Sequence, residues 1–284
     1  MTAWVVLILV LLIVWIVWSR RGDGFSEQIP KKIWTYWEDP ELPPLVQRCL
    51  DKWRELNPTW DLIILNKNSV GQYVPDVDIF SLKFADTAPR RSDFVRLHVL
   101  ARHGGVWTDA SNFPTKSVDW VRDQPWDYVG YYRQGATTRP EYPVIESWFF
   151  ACPPGSKFVS KLRDELMTMN SLDQESDYKK SVEARGVDLQ RIPQPDYLNI
   201  YVAAQAVIQK QMTPEEIKRT MYLKSSDGGP FKYAVENSWN PERTMKALCD
   251  ADPSTLPEMI KIYGNERRAI EGNESLKCVY KILN

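Results

Sequence analysis

Residues 89–111 read Pro-Arg-Arg-Ser-Asp-Phe-Val-Arg-Leu-His-Val-Leu-Ala-Arg-His-Gly-Gly-Val-Trp-Thr-Asp-Ala-Ser, and this stretch decides the fold. It predicts a helix, a two-glycine stop, a short strand and a carboxylate at the strand's end. Pro89 suits a first helical turn, where no backbone donor is needed. Gly104 and Gly105 supply the left-handed cap that ends the helix. Val106, Trp107 and Thr108 are good strand residues. Asp93 and Arg96 share a helix face at i,i+3 spacing. Asp109 would emerge beyond the carboxyl end of a strand, where open α/β sheets bind ligands. A carboxylate fit for a hard cation and an arginine fit for phosphate, this close together, suggest a site for a metal-bound diphosphate.

Working outward, Ile29–Trp37 predicts the first strand, Pro43–Asn57 a helix with Leu45, Cys49, Leu50, Trp53 and Leu56 apolar, and Trp60–Leu65 a second strand. Strand–helix–strand points to a parallel α/β unit. Further strands are expected over Tyr128–Tyr132 and Ile145–Ala151. A turn at Pro153-Pro154-Gly155 leads into a helix from Lys157 to Met169, and Tyr197–Gln211 is apolar and helical. Ser171–Gln194 is polar and reads as an excursion. There is no internal repeat.

The chain has 284 residues, 43% hydrophobic and 26% charged, an ordinary globular balance. A net charge of -1 argues against nucleic acid as a partner bound through a broad basic field. The four cysteines, Cys49, Cys152, Cys249 and Cys278, form no Cys-x-x-Cys pair, so free buried thiols are expected rather than zinc ligands or disulfides. Only His98 and His103 are available, without i,i+4 spacing, so a histidine-rich metal centre is excluded. No P-loop, dinucleotide fingerprint or Gly-x-Ser-x-Gly elbow occurs.

Ala3–Trp18 carries no charged side chain and, with its flanks, approaches the length of a bilayer span. Trp4, Trp15 and Trp18 suit the interfaces, and the segment lacks the basic start and cleavage site of a signal peptide. Residues 1–19 are therefore expected to be a single-pass anchor, 20–28 a linker and 29–284 the functional domain. Arg20, Arg21, Lys31 and Lys32 after the span place that domain in the cytoplasm by the positive-inside rule. A type II anchor with a lumenal domain is the alternative.

Two readings are open for each candidate residue. Asp109 either caps a turn or ligates a cation. Trp34, Tyr36 and Trp37 are either core or a stacking platform for a nucleobase. Glu146, in Glu146-Ser147-Trp148-Phe149-Phe150, is either an outward strand residue or a group facing the acceptor hydroxyl.

The opening Ile29–Trp37, the helix Ser92–Arg96, the block Gly104–Ser111 and Glu146–Ala151 followed by Pro-Pro-Gly-Ser resemble capsular polysaccharide synthesis-type glycosyltransferases. These are related to the Asp-x-Asp sugar transferases that include yeast-type mannosyltransferases and clostridial glucosylating toxins. The resemblance spans about Ile29 to Phe158. It implies a GT-A-like α/β fold (a Rossmann-like mixed sheet flanked by helices), a nucleotide diphosphate sugar donor, a glycan or glycoconjugate acceptor, Mn2+ or Mg2+, and retention of anomeric configuration. It assigns Trp37 to the base, Asp93 and Arg96 to donor sugar and phosphate, and Asp109 to ribose or metal-bound water, with Ser111 in the place of the more direct metal ligand, which makes Asp109 and Ser111 the metal candidates. Asp93, Asp109 and Glu146 become the catalytic candidates, and Trp34, Tyr36, Trp37, Arg96 and Asp93 the donor-binding ones. Ser111 stands where relatives carry a second aspartate, so a silent glycan-binding relative is one rival reading. A metal-dependent nucleotide-sugar hydrolase is another.

Overall fold

The computed structural model describes residues 28–123 and 125–282. The anchor expected over residues 1–19 and nearly all of the linker lie outside them. Among the described residues no helix is long and apolar enough to cross a membrane.

In chain order the elements are β1 (Lys32–Tyr36), α1 (Pro44–Leu56), β2 (Asp61–Leu65), α2 (Val70–Tyr73), α3 (Ala88–His103), β3 (Gly105–Thr108), β4 (Asn112–Pro114), β5 (Tyr128–Tyr132) and β6 (Ile145–Cys152). There follow α4 (Lys157–Met167), α5 (Ser176–Ala184), α6 (Asn199–Lys210), α7 (Pro214–Thr220), β7 (Met221–Ser225), α8 (Lys232–Glu236), α9 (Pro241–Cys249), β8 (Met259–Lys261), α10 (Gly264–Gly272) and α11 (Val279–Ile282).

Six strands form one mixed sheet in the order β2-β1-β3-β6-β5-β7. β1 runs parallel to β2 and β3, β6 is antiparallel to β3 and β5, and β7 is parallel to β5. The expected mixed α/β sheet is therefore present, with β6 the one reversed strand. Both faces are covered, which suits strands with near-continuous apolar runs. On one face Trp34, Trp107 and Phe150 pack with Phe94, Leu97 and Leu100 of α3, and with residues of α4 and α6. On the other, Ile33, Val106 and Phe149 pack with Val46, Leu50 and Trp53 of α1.

The decisive stretch folds as its sequence dictates. α3 ends at Gly104, whose φ is 61° and whose N–H donates to the Leu100 carbonyl. Gly105 has φ 102°, and a Cβ there would sit 2.6 Å from the Lys32 carbonyl oxygen. Two glycines thus let α3 turn at once into β3, tight against β1. β6 then fixes the strand's exit, because the Trp148 carbonyl accepts from the Asp109 N–H at 2.9 Å and from Asn112 Nδ2 at 3.0 Å.

The excursion expected over Ser171–Gln194 and the expected absence of disulfides both need correction. Ser171–Gln194 is no excursion: α5 buries Tyr178 and Val182, and Arg185 pairs with the buried Glu165. The C-terminal region forms its own core around Phe113, Met245, Leu248, Ile260 and Ile270, joined to the sheet domain through the antiparallel β4–β8 pair. Cys249 and Cys278 form a disulfide across that region, while Cys49 and Cys152 are the buried free thiols expected.

Candidate functional site

β1 and β3 are parallel neighbours, so Trp37 and Asp109 leave the sheet at the same, carboxyl-terminal end. There they meet β8 and the start of α10, and a cleft of about 680 Å³ opens. Tyr36, Trp37 and Arg267 line one part of it, and Arg96, Asp109 and Lys261 another. A smaller chamber of about 220 Å³ shares Arg96, Asp109 and Lys261 and adds Asp93, Ser147 and Tyr201. A groove of about 740 Å³ against β7, lined by Trp126, Tyr132, Ile217 and Tyr222, shares no lining residue with either.

The centre is an ionic chain. Arg96 Nη2 lies 3.2 Å from Asp93 and 3.4 Å from Asp109, and Lys261 Nζ lies 2.7 Å from the other Asp109 oxygen. Arg96 is held rigidly. It donates to the Ser147 carbonyl at 2.6 Å, to Ser147 Oγ at 3.0 Å and to Ser92 Oγ at 3.0 Å, and its guanidinium lies over the Trp107 ring. Trp107 Nε1 donates to Asp109 at 3.2 Å. Burial alone would raise the Asp109 carboxyl, but Lys261, Arg96 and Trp107 outweigh it and hold the group below its ordinary value. Asp93 goes the other way: burial raises it, against the opposing pull of Arg96 and Arg90.

The structure brings Asp93, Arg96, Asp109, Tyr36, Trp37 and Ser111 together, as the sequence suggested. It separates two others. Trp34 is fully buried, donates to the Gly104 carbonyl at 2.8 Å and packs on Tyr73 and His103, so it is core and no base platform. Glu146 is 2% exposed and lies behind the cleft wall. Tyr201 Oη, Trp148 Nε1 and Ser226 Oγ donate to it at 2.5, 2.9 and 3.0 Å. Rather than meeting an acceptor hydroxyl, it positions Tyr201 and Trp148, both of which line the inner chamber. Burial raises its carboxyl despite these donors. Arg90 and Arg91 pair with Glu175 and Glu38.

The Mn2+ or Mg2+ site expected at Asp109 and Ser111 does not match the donor set. Ser111 Oγ donates to the Ile262 carbonyl at 2.8 Å. Both Asp109 oxygens face donors or cations, and among the described residues no group of three or more His, Cys, Asp or Glu gathers to hold an ion.

The sequence reading missed Lys261, Tyr263 and Arg267. All three come from the β8–α10 segment, as part of the cleft wall. Arg267 lies over the Trp37 ring at 4.9 Å, covering one of its faces. Asn237-Ser238-Trp239 lies next to this wall without lining the cleft. Trp239 packs on Arg133, Phe231 and Tyr263.

The sequence model of the family described as capsular polysaccharide synthesis protein matches residues 22–178. The chain is 28% identical over 153 residues to the O-glycosyltransferase braB of Annulohypoxylon truncatum, covering 46% of this chain and 35% of that protein. It is 29% identical over 160 residues to the glycosyltransferase afumC of Aspergillus fumigatus, covering 49% and 40%. It therefore spans well under half the length of these two relatives. The solved PaToxG glycosyltransferase superposes with a TM-score of 0.45 at 14% identity, covering 91% of this chain and 87% of that one. The matched segment holds β1, α3, β3 and β6, the elements that carry Trp37, Asp93, Arg96 and Asp109, and extends over more than half of the sequence: the chain belongs to the capsular polysaccharide synthesis protein family.

Proposed function

We propose that the chain is a glycosyltransferase of GT-A-like fold that moves a hexose from a nucleotide diphosphate sugar to a hydroxyl of a glycan or glycoconjugate. One observation carries the reading. The cleft beyond β1 and β3 orders an aromatic platform, a cationic centre and a small polar chamber in succession, matching base, diphosphate and sugar. Trp37 stacks on the base. Arg96, with Lys261, faces the diphosphate, and Asp93 holds sugar hydroxyls in the inner chamber. The bond from the anomeric carbon to the phosphate oxygen breaks, its electron pair stays on the diphosphate, and the acceptor oxygen bonds to that carbon as its proton is released. Charge builds on the departing diphosphate, so preorganised cations there lower the barrier. Retention of anomeric configuration is the stereochemistry this reading carries.

The disulfide bears on location. Disulfides persist in oxidising compartments. Cys249–Cys278 therefore favours the type II arrangement, with the domain lumenal, over the cytoplasmic one that the arginines suggest. Protease protection of the domain in sealed microsomes supports the lumenal placement, and cleavage without detergent rejects it.

The function is tested by incubating the full chain with a panel of nucleotide sugars and glycan acceptors and analysing products by mass spectrometry. A glycosylated acceptor whose yield falls at least about 100-fold in Asp109→Asn supports the proposal. Free sugar without transfer points to the hydrolase, and no product from a folded protein to the silent relative.

A further inference from the structure

The residues at Asp109 do not fit the expected metal, because Lys261 already occupies the carboxylate. We infer that Lys261 takes the place of the divalent ion, so that the cleft holds the donor's diphosphate through the Asp109–Lys261 pair without a metal. The inference rests on the glycosyltransferase reading above.

Lys261 is built in. Its backbone is fixed twice: by the β4–β8 pairing, where it lies opposite Asn112, and by its N–H to the Pro230 carbonyl at 3.1 Å. Asn112 in turn follows Asp109 through a tight turn closed by its own N–H to the Asp109 carbonyl at 2.9 Å. The sheet register therefore delivers the ammonium to the carboxylate. The Lys261 side chain is only 7% exposed, so leaving Asp109 would strand a buried cation.

A divalent ion seeking hard oxygen ligands would have to displace Lys261 and then sit beside Arg96. Ser111, the second expected ligand, is neutral and bonded to Ile262. For a diphosphate the same arrangement is favourable. An ammonium has three N–H donors. One goes to Asp109, and Lys261 lines both chambers, so phosphate oxygens can take the others.

The charge count agrees. Arg96 and Lys261 balance Asp93 and Asp109. Glu38 and Asp39, also in the cleft, are paired with Arg91 and Lys67. Arg267 and Arg268 add positive charge on the cleft wall, with Glu271 acting on Arg267 from the same helix. Arg267 Nε is buried and has no hydrogen-bond partner among the described residues.

The test is calorimetric titration of the full chain in detergent with UDP, GDP and ADP, in excess EDTA and again with Mn2+. The inference expects at least one nucleotide to bind, with dissociation constants in the two buffers agreeing within about threefold. Lys261→Ala weakens binding about tenfold or more in EDTA, as loss of a charge-assisted contact should. Mn2+ then restores part of it, because the vacated carboxylate is open to a cation. Wild-type binding that vanishes in EDTA and returns with Mn2+ overturns the inference, as does a Lys261→Ala protein that binds like wild type in EDTA. Absence of binding by any of the three nucleotides in both buffers overturns the donor reading itself. If Lys261→Ala does not fold, the wild-type comparison between buffers decides alone.

Discussion

At the residue scale the site depends on one guanidinium. Arg96 is 5% exposed and touches two carboxylates, two serines and the Trp107 ring. Removing one member of a buried ionic network leaves the others uncompensated, typically at about 3–5 kcal/mol. Arg96→Leu is therefore expected to lower unfolding free energy by roughly 3 kcal/mol in urea titrations, and an unchanged midpoint would show that the network is not stabilising. Glu266 offers a pH readout. Burial lifts its carboxyl from 4.5 to about 7. The folded protein then holds a proton that the unfolded chain loses across that window. This contribution to stability is full below pH 4.5, falls as pH rises towards 7 and levels off above. Glu266→Gln keeps an acceptor for the Tyr263 N–H at the start of α10 but cannot ionise. It should flatten the pH dependence between pH 5 and 8 by on the order of 2 kcal/mol, since a tenfold change in proton affinity is worth about 1.4 kcal/mol. Equal slopes in wild type and variant would contradict this.

At the scale of elements, the helix–Gly-Gly–strand unit was legible because each of its signals is local. Proline at the start, glycine at the stop and β-branched residues in the strand all act within a few positions. The geometry is unforgiving there: Gly105→Ala would place a Cβ against the Lys32 carbonyl at positive φ, so a loss of at least about 1 kcal/mol, seen as a lower melting temperature, is expected. Strand alternation puts Trp34 and Tyr36 on one face. It could not say which aromatics reach the cleft, because helices cover both faces and only position at the strand's end decides. Trp37, one residue past β1, reaches it, while Trp34 in mid-strand does not. Glu146 was ambiguous for a related reason: the groups that bury it, Tyr201 and Ser226, come from far along the chain.

For the whole molecule, what escaped the sequence was long-range closure. Lys261 lies 152 positions beyond Asp109 and arrives on a three-residue strand with no signature of its own. The same C-terminal region closes on itself through Cys249–Cys278, a separation of 29 residues. Breaking a loop of that size typically costs about 2–4 kcal/mol. Reduction, or Cys249→Ser, is thus expected to destabilise α9–α11 and to loosen the β8 wall, measurable as faster hydrogen exchange at Met259–Lys261. Unchanged exchange there would uncouple the disulfide from the site. The span expected over residues 1–19 lies outside the described residues.

The central claim is that donor binds in the cleft beyond β1 and β3. Hydrogen–deuterium exchange of the full chain, with and without saturating nucleotide sugars, tests it most directly. Donor binding there should protect Tyr36–Asp39, Asp109–Ser111 and Lys261–Arg268 together with one donor. Protection confined to the β7 groove around Tyr132 and Tyr222, or no protection with any donor in a folded protein, would contradict it.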